Sequence, residues 1–306
     1  MTSDKDKKFD NKEESRGQVS RPVLSITDGQ ATSDGAGVKL KRVIGGGRVS
    51  YVDPFLLLDE FRSDNPDDYI AGFPPHPHRG METVTYMVDG RVEHQDSLGN
   101  KGVIGPGDAQ WMTAGSGIIH SEMPAMENGR MWGLQLWVNL PKKEKMTTPR
   151  YQELSAGNTP SVEKDGVIVR VLAGEYEGVS GPIRAIGAAS MYIDVTVEKG
   201  KTFSHKVSDE TLFAYILSGT GSAGKDKKKV TSSQLAVFGK GDFFELSAGN
   251  EHEPFRFIAV AGTLLNEQVA RGGPFVMNTP KEIEDAWREY RQGTFIKTDP
   301  LIEHPK

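Results

Sequence analysis

Residues 73–90 read FPPHPHRGMETVTYMVDG, and residues 107–124 read GDAQWMTAGSGIIHSEMP. The first carries His76-Pro77-His78 and the second carries His120-Ser121-Glu122. Successive side chains of a β-strand point to opposite faces, so residues at i and i+2 share a face. Each pair therefore offers two donor side chains on one side of its strand. If the two strands lie together, three imidazoles and one carboxylate meet at one point, a donor set suited to a divalent metal.

The surrounding sequence predicts the strands that this convergence needs. Runs at 38–44, 55–61, 83–88, 109–113 and 133–140 are apolar or β-branched and are separated by Gly, Pro and Asn turn signals. Asp89-Gly90 reads as a two-residue hairpin turn, because both central positions of such a turn favour positive φ. Leu98-Gly99-Asn100 reads as a second turn. With 35 glycines and 17 prolines in 306 residues, the chain reads as all-β, its short strands folding into sandwiches or small barrels.

The length suits two domains of ordinary size. A polar, proline-bounded stretch at 141–150 reads as a linker, and runs at 167–173, 191–197, 211–218, 234–238 and 255–262 then repeat the first pattern. The expected organisation is a flexible tail at 1–20, an N-terminal domain at 21–145, a C-terminal domain at 146–265 and an extension at 266–306. The halves are chemically unequal. His205 is followed two residues on by Val207, with no later His-x-Glu, so His205 and His252 read as surface or turn residues and one metal is expected per chain. In the extension, Thr279-Pro280-Lys281-Glu282 combines an N-cap, a proline at the first helical position and a capping-box glutamate. Ile283, Ala286, Trp287 and Tyr290 continue at helical spacing and Gly293 stops the element, which predicts a helix over 280–291.

Composition narrows the function classes. The formal net charge is −5, and the lysine-rich run at 225–229 reads as a solvated loop, so no electrostatic footprint for direct nucleic-acid binding is present. The chain has no cysteine, which excludes disulfides, thiolate metal ligands and a cysteine nucleophile. No stretch approaches the roughly 18 apolar residues of a membrane span, and the charged first twenty residues lack the apolar core of a secretory signal. The reading is a soluble monomer of the cytoplasm, or also of the nucleus in a eukaryotic cell, without membrane partners.

The His-x-His, the carboxylate at Glu82, the Pro106-Gly107-Asp108 turn and the later His120 resemble the two motifs of the cupin superfamily. At finer grain, residues 73–86, Asp96-Ser97-Leu98-Gly99-Asn100, residues 107–124, residues 133–141, residues 53–61 and residues 272–293 are similar to the pirin family. That resemblance spans about residues 21–300. It implies a bicupin: two cupin-type antiparallel β-barrels of jelly-roll form with a short C-terminal helix, and metal in the N-terminal barrel alone. It implies His76, His78, His120 and Glu122 as ligands, with Glu82 a spare or supporting carboxylate rather than a ligand. It implies iron, Fe(II) or Fe(III), although imidazole and carboxylate donors also suit other divalent first-row metals.

Some pirin-like proteins are quercetin 2,3-dioxygenases, which open a flavonol ring with O2 and release carbon monoxide. In that case Glu122 would accept the flavonol hydroxyl proton, and Phe73, Met112 and Gln135 would line the pocket. Others are non-enzymatic transcription coregulators that bind protein partners according to the oxidation state of the iron. A purely structural metal ranks behind both, because such sites are closed and thiolate-rich.

Overall fold

The computed structural model describes residues 18–126, 129–250 and 252–305. Residues 1–17 of the expected tail lie outside the described residues. Residues 18–20 run along the C-terminal half: Val19 N–H donates to Asp242 Oδ2 at 2.7 Å, and Ser20 bridges to Phe243.

Each half is a jelly-roll of two antiparallel sheets, and the halves repeat each other strand for strand. In the N-terminal half, a four-stranded sheet runs in the order Phe73–His78, Ile118–Pro124, Val92–Asp96, Lys101–Ile104. The C-terminal half has the same order in Thr202–Lys206, Phe243–Ala248, Thr220–Ala223, Lys228–Thr231. The larger sheets correspond too: Phe55–Ser63, Met131–Asn139, Met81–Asp89 and Ala109–Thr113 match Ala189–Val197, Phe255–Gly262, Thr211–Ser218 and Gln234–Phe238.

The halves do not divide at the expected boundaries, because each begins with a strand that closes the other's sheet. Val23–Asp28 pairs with Gln234–Phe238 in the C-terminal sheet. Arg150–Leu154 pairs with Ala109–Thr113 in the N-terminal sheet, and Leu301–Glu303 then adds to its outer edge in parallel. The expected linker is thus a short 3-10 turn, Lys142–Glu144, leading into a strand of the first barrel. Edge strands follow cross-strand register and apolar burial rather than proximity along the chain. Asp89-Gly90 is also not a hairpin. Met81–Asp89 pairs with Met131–Asn139 and Ala109–Thr113, whereas Val92–Asp96 belongs to the opposing sheet. Gly90, at φ 79°, turns the corner between sheets where a Cβ would stand 2.6 Å from the Arg130 carbonyl. Leu98-Gly99-Asn100 does close a hairpin, with the Asp96 carboxylate accepting from Leu98 and Asn100 N–H groups.

The two large sheets pack face to face. Val84, Tyr86, Trp111, Leu134 and Leu136 meet Tyr192, Phe213, Tyr215, Ile258 and Val260 in one apolar cluster. Buried polar pins cross this seam: Tyr215 Oη donates to Glu60, which also accepts from Trp132 Nε1 of its own sheet, and Tyr86 Oη donates to Asp194, which Arg256 also contacts. Strand alternation explains the two-sided burial of Met81–Asp89: Glu82, Val84 and Tyr86 face the seam, while Thr85 faces the interior of its own barrel.

An α-helix spans Pro280–Gln292, with the Thr279–Glu282 capping box formed and Gly293 in the left-handed region. Its apolar face, Ile283, Ala286, Trp287 and Tyr290, packs on Phe275 and Phe295. Arg79, beside His78, is buried beneath this layer: it donates to the Ser116 and Phe295 carbonyls, pairs with Glu289 at 2.8 Å and lies over the Phe295 ring. No helix among the described residues is long and apolar enough to cross a membrane.

Candidate metal centre

Antiparallel pairing of Phe73–His78 with Ile118–Pro124 sets His76 opposite His120 and His78 opposite Ile118. The three rings of His76, His78 and His120 lie 4.5–5.0 Å apart between centroids, and one donor atom from each falls within 4.8 Å of the others. Register then shifts between His120 and Glu122, so that Glu122 pairs with Phe73 on one side and His94 on the other. Glu122 stands outside the compact three-histidine group but lines the same cavity as His76 and His78.

The hydrogen bonds choose the donor atoms. His76 Nδ1 is 2.9 Å from the Pro74 carbonyl, and His78 Nδ1 is 3.3 Å from the Pro274 carbonyl. A carbonyl accepts only, so both rings carry their proton on Nδ1 and leave an Nε2 lone pair. His120 Nδ1 meets His94 Nε2 at 2.8 Å, and His120 Nε2 is buried with no partner. An unpartnered buried imidazole nitrogen is costly, and a metal ion among three Nε2 atoms removes that cost. The residues therefore fit a divalent first-row metal.

Burial pushes the pKa values of His78 and His120 well below the ordinary histidine range, with neighbouring imidazoles adding to the effect. His94 is pushed down to about 4 by burial, against an opposing pull from Asp96. These rings are neutral at pH 7, the form that ligates. Because the unfolded chain takes up protons below about pH 6.5 while the folded rings do not, stability is full above that pH and is lost as pH falls. Chelator-treated protein is expected to lose about 1.4 kcal/mol per pH unit for each such histidine between about pH 6.5 and 5. Urea unfolding across that range measures it, and a flat profile would contradict neutral burial.

Burial raises the Glu122 carboxyl, opposed by its bond with Thr85 and by His76. Thr85 Oγ1 lies 2.7 Å from both Glu122 Oε1 and Gln135 Oε1. One hydroxyl has one proton, so its second partner must itself donate: either Glu122 holds a proton, or the Gln135 amide is turned to present its NH2. The trio thus accommodates Glu122 in either protonation state.

His76 and His78 open into a cavity of about 850 Å³. Phe73 and Gln135 line it, as do Leu57, Phe61, Trp137 and the Arg42–Asp59 ion pair. Arg271 reaches over Trp137 from the C-terminal extension, its guanidinium 5.1 Å from the ring centroid. Two of the residues expected around the pocket lie elsewhere. Met112 packs with Ala114, Ile118 and Tyr151. Glu82 is fully buried toward the seam, accepting from Thr113 Oγ1 (2.8 Å) and the N–H groups of Ile186 (3.1 Å) and Gly187 (3.0 Å). Its strand parity, opposite to that of Thr85, sends it to that face.

The sequence reading passed over His94, Thr85 and Arg271. A signal existed for His94, since four of the seven histidines, His76, His78, His94 and His120, fall within one stretch of the N-terminal half. In the C-terminal half the corresponding pair of strands presents Phe203, Phe244 and Leu246 to the barrel interior, and His205 packs against Tyr176. Among the described residues no comparable histidine cluster forms there.

Residues 37–138 match the family model described as Pirin, and residues 192–296 match that of the Pirin C-terminal cupin domain. A pirin-like protein of Caulobacter vibrioides is 44% identical over 90% of this chain and 99% of its own. A protein of Pseudomonas aeruginosa, provisionally named a quercetin 2,3-dioxygenase, is 44% identical over 89% of this chain and 97% of its own. The crystal structure of a quercetin 2,3-dioxygenase from Acinetobacter baumannii superposes with a TM-score of 0.82 at 32% identity, covering 90% of this chain and 99% of that one.

Proposed function

Because the chain belongs to the pirin family, we propose that it is a metal-dependent dioxygenase of the quercetin 2,3-dioxygenase type, using one iron per chain to open a flavonol with O2. The observation that carries this reading is the three-imidazole cluster, two of whose rings, His76 and His78, line a cavity of about 850 Å³, a size that suits a small aromatic ligand. The names borne by the Pseudomonas and Acinetobacter relatives support it.

His76, His78 and His120 hold the metal through Nε2, and Glu122 is the fourth donor and the proton acceptor. A first-row metal held there supplies Lewis acidity toward the flavonol 3-hydroxyl oxygen and electron exchange with O2. Glu122 takes the 3-hydroxyl proton. The Thr85 hydroxyl and Gln135 amide reorient to hold it, so the proton is retained beside the substrate. Phe73 and Trp137 give the flat ring system apolar walls, while the Arg42–Asp59 pair and Arg271 offer polar partners to its outer hydroxyls. The products are the ring-opened ester and carbon monoxide, which together account for both oxygen atoms and the excised carbon.

The test mixes anaerobically Fe(II)-loaded protein with quercetin and then air. Loss of the flavonol absorbance, matched mole for mole by O2 consumption and carbon monoxide release, is expected in proportion to bound iron. Metal-loaded protein that consumes neither would overturn the enzyme reading in favour of a metal-dependent binding protein.

A further inference from the structure

We propose that His94 is a positioning residue for the metal centre: a neutral imidazole whose Nε2 accepts the Nδ1 proton of His120 and thereby locks His120 with its Nε2 lone pair toward the metal. The inference rests on the metal-centre reading and is independent of the substrate.

His94 lies on Val92–Asp96, which pairs with Ile118–Pro124, and its register partner is Glu122. It is 2% exposed, and its Nε2 is 2.8 Å from His120 Nδ1. Two neutral imidazoles can share a proton in either sense. The surroundings decide which. His120 Nε2 is the buried atom with no partner, on the side of the other two histidines, and a metal there needs its lone pair. The His120 proton therefore sits on Nδ1, His94 Nε2 accepts it, and the proton of His94 sits on its own Nδ1. Tyr151 stands edge-on to the His94 ring at 5.0 Å and fixes its plane. Beyond His94 lies a small cavity of about 130 Å³, shared with Asn100, Lys101, Tyr151, Glu153 and His304. His94 thus forms the wall between the metal cluster and that cavity.

His76 and His78 have backbone carbonyls in this role, and His120 has a side chain. A carbonyl belongs to the backbone and survives substitution, whereas a side chain can be replaced, so the tautomer of one ligand among three is open to mutation. A neutral acceptor orients the ring without adding the negative charge that a carboxylate would bring to the cluster.

The experiment compares wild type with His94→Gln, which keeps an acceptor, and His94→Leu, which fills the space without one. Zn(II) affinity is measured by competition with a chromophoric chelator. Long-range nitrogen–proton NMR reports the His120 tautomer, in both metal-free and Zn(II)-loaded protein. His94→Leu is expected to bind Zn(II) about 10- to 100-fold more weakly and to lose the fixed Nδ1–H signature in the metal-free form. His94→Gln is expected to restore both. Unchanged affinity and tautomer in a folded His94→Leu protein would overturn the role of His94. Equal losses in Gln and Leu variants of unchanged thermal stability would overturn the acceptor argument. Wild type that holds the Nδ1–H tautomer but binds no Zn(II) would overturn the metal centre and leave the hydrogen-bond assignment standing.

Discussion

Substituting His120 by alanine is expected to weaken metal binding by more than about 100-fold, exceeding the 10- to 100-fold typical of losing a supporting residue. Of the three proposed ligands, His120 is the one whose donor atom has nothing else to bind, since its Nε2 is buried and unpartnered. Its removal leaves two imidazoles and a carboxylate that stands outside the compact group. Stability should divide accordingly. Metal-free His120→Ala protein loses a desolvated, half-satisfied ring and should unfold close to the wild type. Metal added at 100 times the wild-type Kd stabilises the native state by about 2.7 kcal/mol, and the variant should forfeit most of this. Metal analysis after gel filtration and paired melts with and without metal read both effects. Wild-type metal content in the variant would remove His120 from the site.

Glu82→Ala is expected to act on stability instead, costing about 3 kcal/mol and lowering Tm by roughly 5 °C, with metal content per folded chain unchanged. The carboxylate receives the hydroxyl of Thr113 on the neighbouring strand and two backbone N–H groups, of the half-buried Ile186 and Gly187, from the C-terminal half. Alanine leaves both half-buried N–H groups without their acceptor, and an orphaned group costs about 1–3 kcal/mol when buried, the lower end applying here. Glu82→Gln keeps one carbonyl oxygen and should recover about half of the loss. Calorimetry on both variants checks the stability effect, and metal analysis checks the partition. Loss of metal from folded Glu82→Gln would return the carboxylate to the metal centre.

The contrast between Glu82 and Glu122 shows where a sequence reading stops. Both lie near the histidines in the chain; the i, i+2 spacing pointed to Glu122 as a donor, and the pirin resemblance set Glu82 aside. In the structure, strand parity separates them: Thr85 marks the face of Met81–Asp89 that looks into the barrel, and Glu82 is on the other. The same limit applies to Asp89-Gly90, whose turn chemistry is as well suited to a corner between sheets as to a hairpin, and only the pairing of the flanking strands decides between them.

By itself the sequence determined the all-β character, the repeat, its chemical inequality and the capped helix. Each of these is written in local chemistry: i, i+2 alternation, turn residues, cap residues and the type of side chain at a strand position. The tertiary structure decided which edge strand closes which sheet, that Glu82 pins the seam, that Arg271 reaches the cavity and that His94 supports His120. These depend on register and packing between residues far apart in the chain, 26 positions for His94 and His120 and 104 for Glu82 and Ile186. Such contacts exist because burial of one face of each sheet selects one strand register over all others, and no local pattern records that choice.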